Sequence, residues 1–473
     1  MKLPYRGSGK VFYNEKEYQC DLFYNEKEGG ILLKINVKNE KLFGDFLEVP
    51  LEISHLCGQL ESGFKFTLLH LERKGMRDLV SYGISEYTFY VEFIFCGIGE
   101  YIQHEPTFNS VDYILSDVVE WGEESIYTIG ENFELIKKNE EIKRTIFEGS
   151  DYSIIYSVRG SMLPLANYDL LKDQIELKQR GIIEIEFQKG EKFNRFNEVF
   201  ERIKRLIEIA VFRKINVEEV YAYSGEVVYS VGDTTNEKPI RVYGNNIKEN
   251  SFLERLERHR WKRISLSEMV NNNSFKHYFG KHEKLAPIIE LFLEPFYVED
   301  SSAIRVFLNI VQALETYHSR FVTNSLDKFK TRIEYLANEL PINQAKEIRK
   351  HLIANSKRFI TLESRLADLL FAKGKTYFDT GEIKHIDFPS VIAHSRNYYI
   401  HYDENIKGKY RVLSEKELEI YNRSLFIILE YYIMLELGFS EDTGKIENKL
   451  KSRWGSISQD LEILNMSRSQ HNS

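Results

Sequence analysis

Three polar side chains near the end of the sequence are spaced closely enough to act together: Arg396, Asn397 and His401. An arginine guanidinium grips phosphate oxygens through a planar fork of donors and does not lose its proton. A histidine imidazole titrates near neutrality and can take up or deliver a proton. The pair therefore suffices for attack of a ribose 2′-hydroxyl on the adjacent phosphate without a metal ion. Asn397 can orient either partner by hydrogen bonding.

The specificity of this pattern comes from the asparagine. An arginine followed five residues later by a histidine is weak by itself, because this composition gives about 0.7 such pairs by chance. An asparagine directly after the arginine lowers that expectation to roughly 0.03. The alternative, a surface arginine and a helix-end histidine with no role, stays open at this point.

The sequence predicts a helix over Pro389–Tyr402, which places His401 in the last turn. The helix dipole there favours a positively charged side chain, as suits an acid or a phosphate-binding cation. A spacing of five residues separates the Cβ atoms of Arg396 and His401 by about 140°. Arg396 must therefore reach around the helix, or its partner must come from a second copy across a two-fold axis. His394 is expected to be a packed or exposed neighbour rather than a metal ligand.

Other catalytic signatures in the chain are incomplete. Gly374-Lys375-Thr376 resembles the end of a P-loop but lacks the required first glycine. Asp169 with Glu176 and Lys178 imitates the carboxylate–lysine pattern of metal-dependent nucleases, but such residues are common in any charged chain. We therefore expect neither a metal ion nor another cofactor.

The hydrophobic pattern indicates an α+β fold that changes character near residue 255. The first part reads as short strands rich in Tyr, Phe, Ile and Val, separated by turn formers. An amphipathic helix from Phe196 to Ala210 interrupts them. Strands are predicted at Lys10–Tyr13, Tyr18–Tyr24, Gly30–Val37, Phe64–Leu69, Tyr87–Phe95, Tyr152–Val158, Ile182–Phe187, Val220–Ser224 and Pro239–Tyr243. We expect a β-rich domain over residues 1–255.

The second part, residues 256–473, is predicted to be an all-α bundle. Helices are expected at Glu283–Phe296, Ser301–Phe321, Asp327–Asn338, Ile342–Ala354, Leu362–Phe371, Pro389–Tyr402 and Glu415–Leu437. Gly438 is expected to close the last of them as a C-cap. The segment Leu425–Leu435 is nearly apolar all round, so it is buried either in the bundle core or at a dimer seam, and the core is favoured.

The charge of the chain is divided unevenly. The whole carries 64 basic and 72 acidic side chains, a net charge of −8. Residues 1–250 hold 31 basic and 42 acidic residues, net −11, and the remainder holds 33 and 30, net +3. This excludes a generally basic nucleic-acid coat but not a small cationic cleft. The densest acidic stretch, Glu105–Glu148, is expected to be a solvated face, with a docking surface for a basic partner as the alternative.

A cytoplasmic location is expected. The three cysteines, Cys20, Cys57 and Cys96, are far apart and fit free thiols in a reducing compartment. The amino terminus has no apolar signal-peptide core. The most apolar segment, Leu425–Phe439, is interrupted by glutamates and falls short of the roughly 18 residues of a membrane span.

The sequence resembles a known family at both ends. Arg396-Asn397-x3-His401 resembles the R-N-x3-H signature of HEPN-type ribonucleases, and Phe307–His318 resembles the early HEPN helix of ApeA-type anti-phage defence proteins. Tyr18–Asn36 and Leu56–Leu71 are similar to the β-rich domain that precedes HEPN in that family. The resemblance implies a HEPN-like helical bundle in the second half of the chain.

The same resemblance implies a metal-independent endoribonuclease that halts growth of an infected bacterial cell. It implies catalysis by Arg396 and His401 with support from Asn397, a homodimer formed through HEPN helices, and RNA as substrate. Glu315 matches an acidic position of the early helix and is a possible supporting residue, although a structural salt bridge explains it equally well. A phage-derived trigger is expected to act on the amino-terminal domain. The alternatives are a non-catalytic nucleotide- or protein-binding sensor and, less favoured, a partner of a nucleotidyl transferase.

Overall fold

The computed structural model describes residues 6–25, 30–38, 49–79, 83–99, 104–138, 142–160, 178–231, 234–244, 247, 263–298, 300–370, 383–384, 386–441 and 444–455. The chain forms two compact units. The first comprises Met1–Lys204 and Ile215–Arg258, and the second comprises Arg205–Lys214 and His259–Ser473. A β-rich amino-terminal region is thus followed by a helical carboxy-terminal region, which confirms the expected fold class.

The elements of the first region are mostly antiparallel strands. They are β1 (Gly7–Tyr13), β2 (Lys16–Asn25), β3 (Gly30–Lys38), β4 (Glu52–Leu60), β5 (Lys65–Leu79), β6 (Ile84–Cys96), β7 (Thr107–Leu115), α1 (Val118–Gly122), β8 (Tyr127–Ile129), β9 (Leu135–Lys137), β10 (Ile142–Glu148), β11 (Tyr152–Gly160), β12 (Gln179–Lys192), α2 (Phe193–Val211), β13 (Val217–Tyr223), β14 (Val228–Val231), β15 (Thr234–Glu237) and β16 (Ile240–Gly244).

Six of the described strands close into a barrel in the order β1–β2–β3–β6–β5–β4 and back to β1. Alternate residues point inward, so Leu22, Leu33 and Phe89 meet as cross-strand partners inside. Most of the inward side chains are Val, Ile, Leu or Phe, and their removal from water is the main term that holds such a barrel together. Closure also removes the unpaired edges that would otherwise invite aggregation.

The barrel continues into an open sheet at β6. The first part of one β6 edge, Ile84–Val91, pairs with β3, and Phe93–Phe95 pairs with β16. From there the sheet runs β16–β13–β7–β12–β11–β10. The first half of α2 covers one face: the Phe200 ring stacks on Tyr113 at 3.8 Å between centroids, and Phe196 meets Phe187 edge-on.

The second region consists of helices. They are α3 (Leu266–Asn271), α4 (Ser274–Tyr297), α5 (Ala303–Phe321), α6 (Asn324–Asn338), α7 (Ile342–Ile348), a π-helical turn (Arg349–Ile353), a 3₁₀ turn (Ser356–Phe359), α8 (Leu362–Leu369), α9 (Phe388–His401), α10 (Glu404–Lys409), α11 (Glu415–Glu436) and α12 (Lys445–Trp454).

Helix α11 is the central element of this unit. It packs against α5, α4 and α12, and Leu425–Met434 is buried except for Tyr432. Its apolar stretch therefore lies in the core of a single copy, as favoured from the sequence. Gly438 follows the helix with φ +90°, and the Phe439 N–H bonds back to the Met434 carbonyl in a Schellman motif. The predicted glycine cap is confirmed.

Most predicted elements are present within a few residues of their expected bounds, but some were missed. No prediction covers strands β4, β7, β8, β9, β10, β14 and β15 or helices α1, α3, α10 and α12. In β7 and β10 the cause is their position inside the acidic stretch Glu105–Glu148, whose charge density favours a solvated face. Helix α4 begins at Ser274, nine residues before the predicted start, because its first turns carry few apolar side chains.

A buried ion pair joins separate segments of the helical unit. The carboxylate of Glu430 on α11 accepts hydrogen bonds from the Arg453 guanidinium and, at 2.5 Å, from the Trp454 indole N–H. Arg453 also donates to the Ala210 carbonyl at 2.8 Å, so the segment Arg205–Lys214 is bound to α11 and α12 within the same unit. Both charged side chains are fully buried.

The substitution Arg453→Met should therefore lower the free energy of unfolding by about 3–5 kcal/mol, because it leaves the Glu430 charge buried without its partner. The double variant Glu430→Leu/Arg453→Met should recover most of that loss, since it removes both charges. Urea unfolding monitored by circular dichroism measures all three proteins. Arg305→Met, which breaks an exposed pair with Glu294, is the matched control and should cost less than about 1 kcal/mol. Equal losses in the single and double variants would contradict this account.

Candidate active site

Helix α9 presents the predicted site residues near its carboxy-terminal end. Pro389 lies in its first turn, and Tyr402 ends it with φ +50° in the left-handed region. His401 is the final helical residue and is exposed, and Arg396 and Asn397 are half-buried one turn earlier. The helix therefore ends as the sequence predicted, and the imidazole projects into solvent.

Arg396 and Asn397 are in direct contact. The guanidinium Nη1 of Arg396 donates to the Asn397 side-chain oxygen at 3.2 Å. Asn397 stands four residues before His401, so these two side chains lie one turn apart on the same helix face. The contact draws the guanidinium from its own side of the helix toward the face of His401. In this way the two side chains can act together although the sequence spacing separates their Cβ atoms by about 140° around the helix.

The buried face of α9 is fixed to the segment before α11. Ser395, fully buried, accepts a hydrogen bond from the Leu413 N–H at 2.9 Å, and the Tyr399 hydroxyl donates to the Leu413 carbonyl at 2.7 Å. Burial, then the nearby Glu415 carboxylate, raises the pKa of Tyr399 to about 12, so it remains a donor. Both backbone groups of Leu413 are satisfied by α9, which holds the helix in a defined rotation. The sequence motif did not reveal either supporting residue.

Further cationic and aromatic side chains lie on α9 and α10 and in the segment that follows α10. The Lys407 ammonium lies 5.5 Å from the centre of the Tyr398 ring, whose hydroxyl donates to Glu404 at 3.1 Å. His394 stacks on Tyr410 with ring centres 4.0 Å apart. His394 is thus a packed neighbour. Among the described residues, no group of three or more His, Cys, Asp or Glu side chains is arranged to hold a metal ion.

Glu315 of α5 lies beside an arginine of α8. Its carboxylate lies 3.8 Å from the guanidinium of Arg365 on α8, which also donates to the Lys357 carbonyl at 2.8 Å. Arg365 is buried, so this ion pair ties α5 to α8. The contact fits the structural explanation of Glu315, and a supporting role in chemistry stays a prediction.

The histidine of the early helix α5, His318, is buried away from solvent. His318 Nε2 lies 2.8 Å from the Asp368 carboxylate, which also accepts from the Ser325 N–H at 2.9 Å. Burial would raise the pKa of Asp368, but the hydrogen bonds from Ser325 and His318 outweigh it and lower that pKa. With His318 2% exposed, this pair joins α5, α6 and α8 and cannot meet an RNA strand.

The remaining motifs of the sequence fall elsewhere. Gly374-Lys375-Thr376 lies outside the described residues, as do Asp169 and Glu176 of the carboxylate–lysine pattern. Cys20 and Cys57 are buried and Cys96 is half-buried, and all three are free thiols. Burial raises the pKa of Cys20 and of Cys96 to about 12, so neither acts as a thiolate nucleophile.

Comparison with known proteins identifies the class. The family described as Apea-like HEPN matches residues 308–443, which include α9 and its motif. HEPN domains are usually nucleases, and they commonly dimerise and bind RNA. The family described as ApeA N-terminal domain 1 matches residues 4–281, more than half of the chain. No curated protein and no solved structure matches.

The chain therefore belongs to the ApeA family and carries a carboxy-terminal HEPN domain. This confirms the resemblance seen in the sequence and supports a place among the anti-phage defence HEPN proteins. No helix in the described part of the chain is long and apolar enough to cross a membrane.

The cap of α11 supports the site and should respond to pH. Glu417 is buried, and its carboxylate accepts hydrogen bonds from the Ser414 N–H, the Ser414 hydroxyl and the Arg411 guanidinium. Ser414 directly follows Leu413, the residue that bonds α9. Burial would raise the pKa of Glu417, but the bonds from Ser414 and the charge of Arg411 outweigh it, so the pKa is lower than its ordinary 4.5. A carboxylate whose pKa is lower in the folded state stabilises the protein at pH values above its ordinary pKa. That stabilisation is lost as the pH falls from the ordinary pKa through the folded-state pKa.

Glu417→Gln should therefore lower the free energy of unfolding by about 1–2 kcal/mol at pH 7. The gap between this variant and wild type should shrink as the pH falls below 4.5. Urea titrations at pH 7, 5 and about 3.5 measure it. Glu415→Gln, an exposed glutamate in the same first turn, is the control and should change stability by about 0.5 kcal/mol or less at each pH. A Glu417 gap that widens in acid would refute the proposed role.

Proposed function

We propose that this protein is a metal-independent HEPN endoribonuclease that acts in anti-phage defence and arrests the infected cell by cutting RNA. The observation that carries the proposal is the Arg396–Asn397 hydrogen bond on α9. It directs a guanidinium toward the face on which His401 stands exposed, so one phosphate can meet both groups.

The residues divide the chemistry between them. Arg396 binds the non-bridging oxygens of the phosphate and stabilises the charge that grows on them. The ribose 2′-oxygen attacks phosphorus as its proton passes to a base, and the bond from phosphorus to the 5′-oxygen breaks as that oxygen receives a proton. The products are a 2′,3′-cyclic phosphate and a 5′-hydroxyl. His401 supplies one of the two proton transfers.

A second copy of the chain supplies the other transfer. In this proposal two α9 helices face each other across a two-fold axis, which brings two Arg396/His401 pairs to one strand of RNA. Exposed apolar side chains beside the site support such a seam: Ile400 is 43% exposed, Tyr402 61% and Tyr410 51%. Helix α11 is already buried within one copy, so the pairing surface in this proposal is the α9–α10 face rather than α11.

The test is RNA cleavage in cells that carry the wild-type protein or a variant, during phage infection. His401→Ala and Arg396→Ala should each reduce cleavage by about 100-fold or more, because each removes an interaction made in the transition state. Mapping of RNA ends should find 2′,3′-cyclic phosphates that the variants lack. Cleavage by purified active protein should persist in EDTA.

His394→Ala is the matched control, because it removes another histidine of α9 that stacks on Tyr410 and is assigned no role in the chemistry. It should keep cleavage within about threefold of wild type. Asn397→Ala should fall between the control and Arg396→Ala, since the guanidinium remains but loses its orienting acceptor. Cleavage that survives in both His401→Ala and Arg396→Ala would exclude this site, and cleavage lost in EDTA would exclude the metal-independent mechanism.

A further inference from the structure

A cavity of about 410 Å³ lies on the sheet of the first unit, on the face that α2 does not cover. Its walls include Ile114 of β7 and Ile182 of β12. Tyr113 and Phe187, which contact α2, belong to the opposite face because side chains alternate along a strand. The volume lies in the range of small-molecule sites, about 300–1,000 Å³.

The charged side chains that line the cavity are cationic, although the half of the chain that contains it is acidic overall. Arg159, Lys178 and Arg180 line it, and none of the described lining side chains is a carboxylate. Arg159 and Arg180 are direct cross-strand partners on β11 and β12. Like charges at directly opposed positions destabilise a sheet. Neighbouring carboxylates offset part of this repulsion, and a bound anion would offset more of it.

Two carboxylates behind the wall hold these arginines in place. Arg159 Nη1 donates to Asp112 at 2.7 Å, and Asp112 is 1% exposed. Arg180 Nη1 donates to Glu219 at 2.9 Å. Arg159 Nη2 also lies 3.9 Å from the Glu184 carboxylate. These contacts fix the planes of the two guanidinium groups and so pre-organise their remaining donors for a ligand.

The same two carboxylates also hold two tyrosine rings. Tyr223 donates to Asp112 at 3.1 Å, and Tyr221 donates to Glu219 at 2.9 Å. The wall thus contains two copies of one arrangement, in which a carboxylate fixes one arginine and one tyrosine. Burial, then the neighbouring carboxylate, raises the pKa of Tyr223 to about 12, so the ring stays neutral and adds no negative charge.

Cations and flat apolar surfaces together define the ligand. Arginine and lysine bind phosphate oxygens, and tyrosine rings with Pro239 and Ile182 offer surfaces on which a planar base can stack. We propose that this cavity of the amino-terminal unit binds a nucleoside phosphate, held by Arg159, Lys178 and Arg180 at the phosphate and by Tyr221 and Tyr223 at the base. The proposal is independent of RNA cleavage by α9.

Isothermal titration calorimetry on the full chain tests binding with AMP, GMP, CMP and UMP as probes. At least one should bind with a Kd below about 1 mM, and more tightly than adenosine or inorganic phosphate alone. Competition with a trinucleotide, with and without a 5′-phosphate, tells whether the group enters as a free nucleotide or as an RNA end. Failure of all four probes to bind would overturn the proposal. Phosphate that binds as tightly as every nucleotide would overturn the assignment of the tyrosines.

Arg180→Gln should weaken binding of the best probe by about tenfold or more, because it removes a charge-assisted contact. Arg144→Gln is the matched control: Arg144 is 43% exposed against 45% for Arg180, and pairs with Glu124 at 2.6 Å outside the cavity. Lys178→Gln is a second test that breaks neither carboxylate pair. Arg159 is left unchanged, since its loss would strand the buried Asp112. Equal weakening by Arg180→Gln and Arg144→Gln would refute the site.

Discussion

The buried contact between Glu430 and Arg453 is the constraint on which the helical unit depends. Two opposite charges without access to water are stable only when every donor and acceptor is matched. Here both carboxylate oxygens accept hydrogen bonds, from Arg453 and from the Trp454 indole, and the guanidinium also bonds Ala210 and faces the Phe212 ring at 4.9 Å. One polar contact thus joins α11, α12 and the segment Arg205–Lys214. An apolar core alone would hold these elements with less orientational precision, because dispersion forces are not directional.

The first turn of α11 fixes the position of α9 and therefore of the candidate site. Ser414 and Glu417 cap the helix, which fixes the direction of the preceding chain. Leu413 then bonds both Ser395 and Tyr399 of α9 through its own backbone groups. The rotation of α9, and with it the direction in which Arg396 and His401 project, is set by hydrogen bonds between two other α9 side chains and the Leu413 backbone. Arg396 and Asn397 can therefore stay half-buried and His401 exposed, as the proposed cleavage of RNA requires.

The sequence predicted those parts of the protein that have a local signal. Apolar periodicity located α2, α5, α9 and α11, and Gly438 marked the end of α11, because each depends on residues a few positions apart. Partners distant in sequence were not predictable. The sequence showed Glu430 only as a charged residue within an apolar helix, and no local pattern predicted Arg453 as its partner. The barrel closure between β4 and β1 likewise depends on registers that alternation alone does not specify. The roles of Arg396, Asn397 and His401 remain a prediction from a motif, which the geometry of α9 makes physically reasonable.

The acceptor that orients an arginine decides what that arginine can bind. At α9 the acceptor is the neutral amide of Asn397, so the guanidinium keeps its whole charge for the phosphate, whose negative charge would grow during the proposed reaction. In the cavity of the first unit the acceptors are carboxylates, which offset part of the charge of Arg159 and Arg180 and stiffen them. The arginine held by an amide is suited to a phosphate that gains charge during a reaction. The arginines held by carboxylates are suited to binding an anion whose charge does not change. The net charge of −8 constrains neither, because each arrangement depends on groups within a few ångströms of the phosphate.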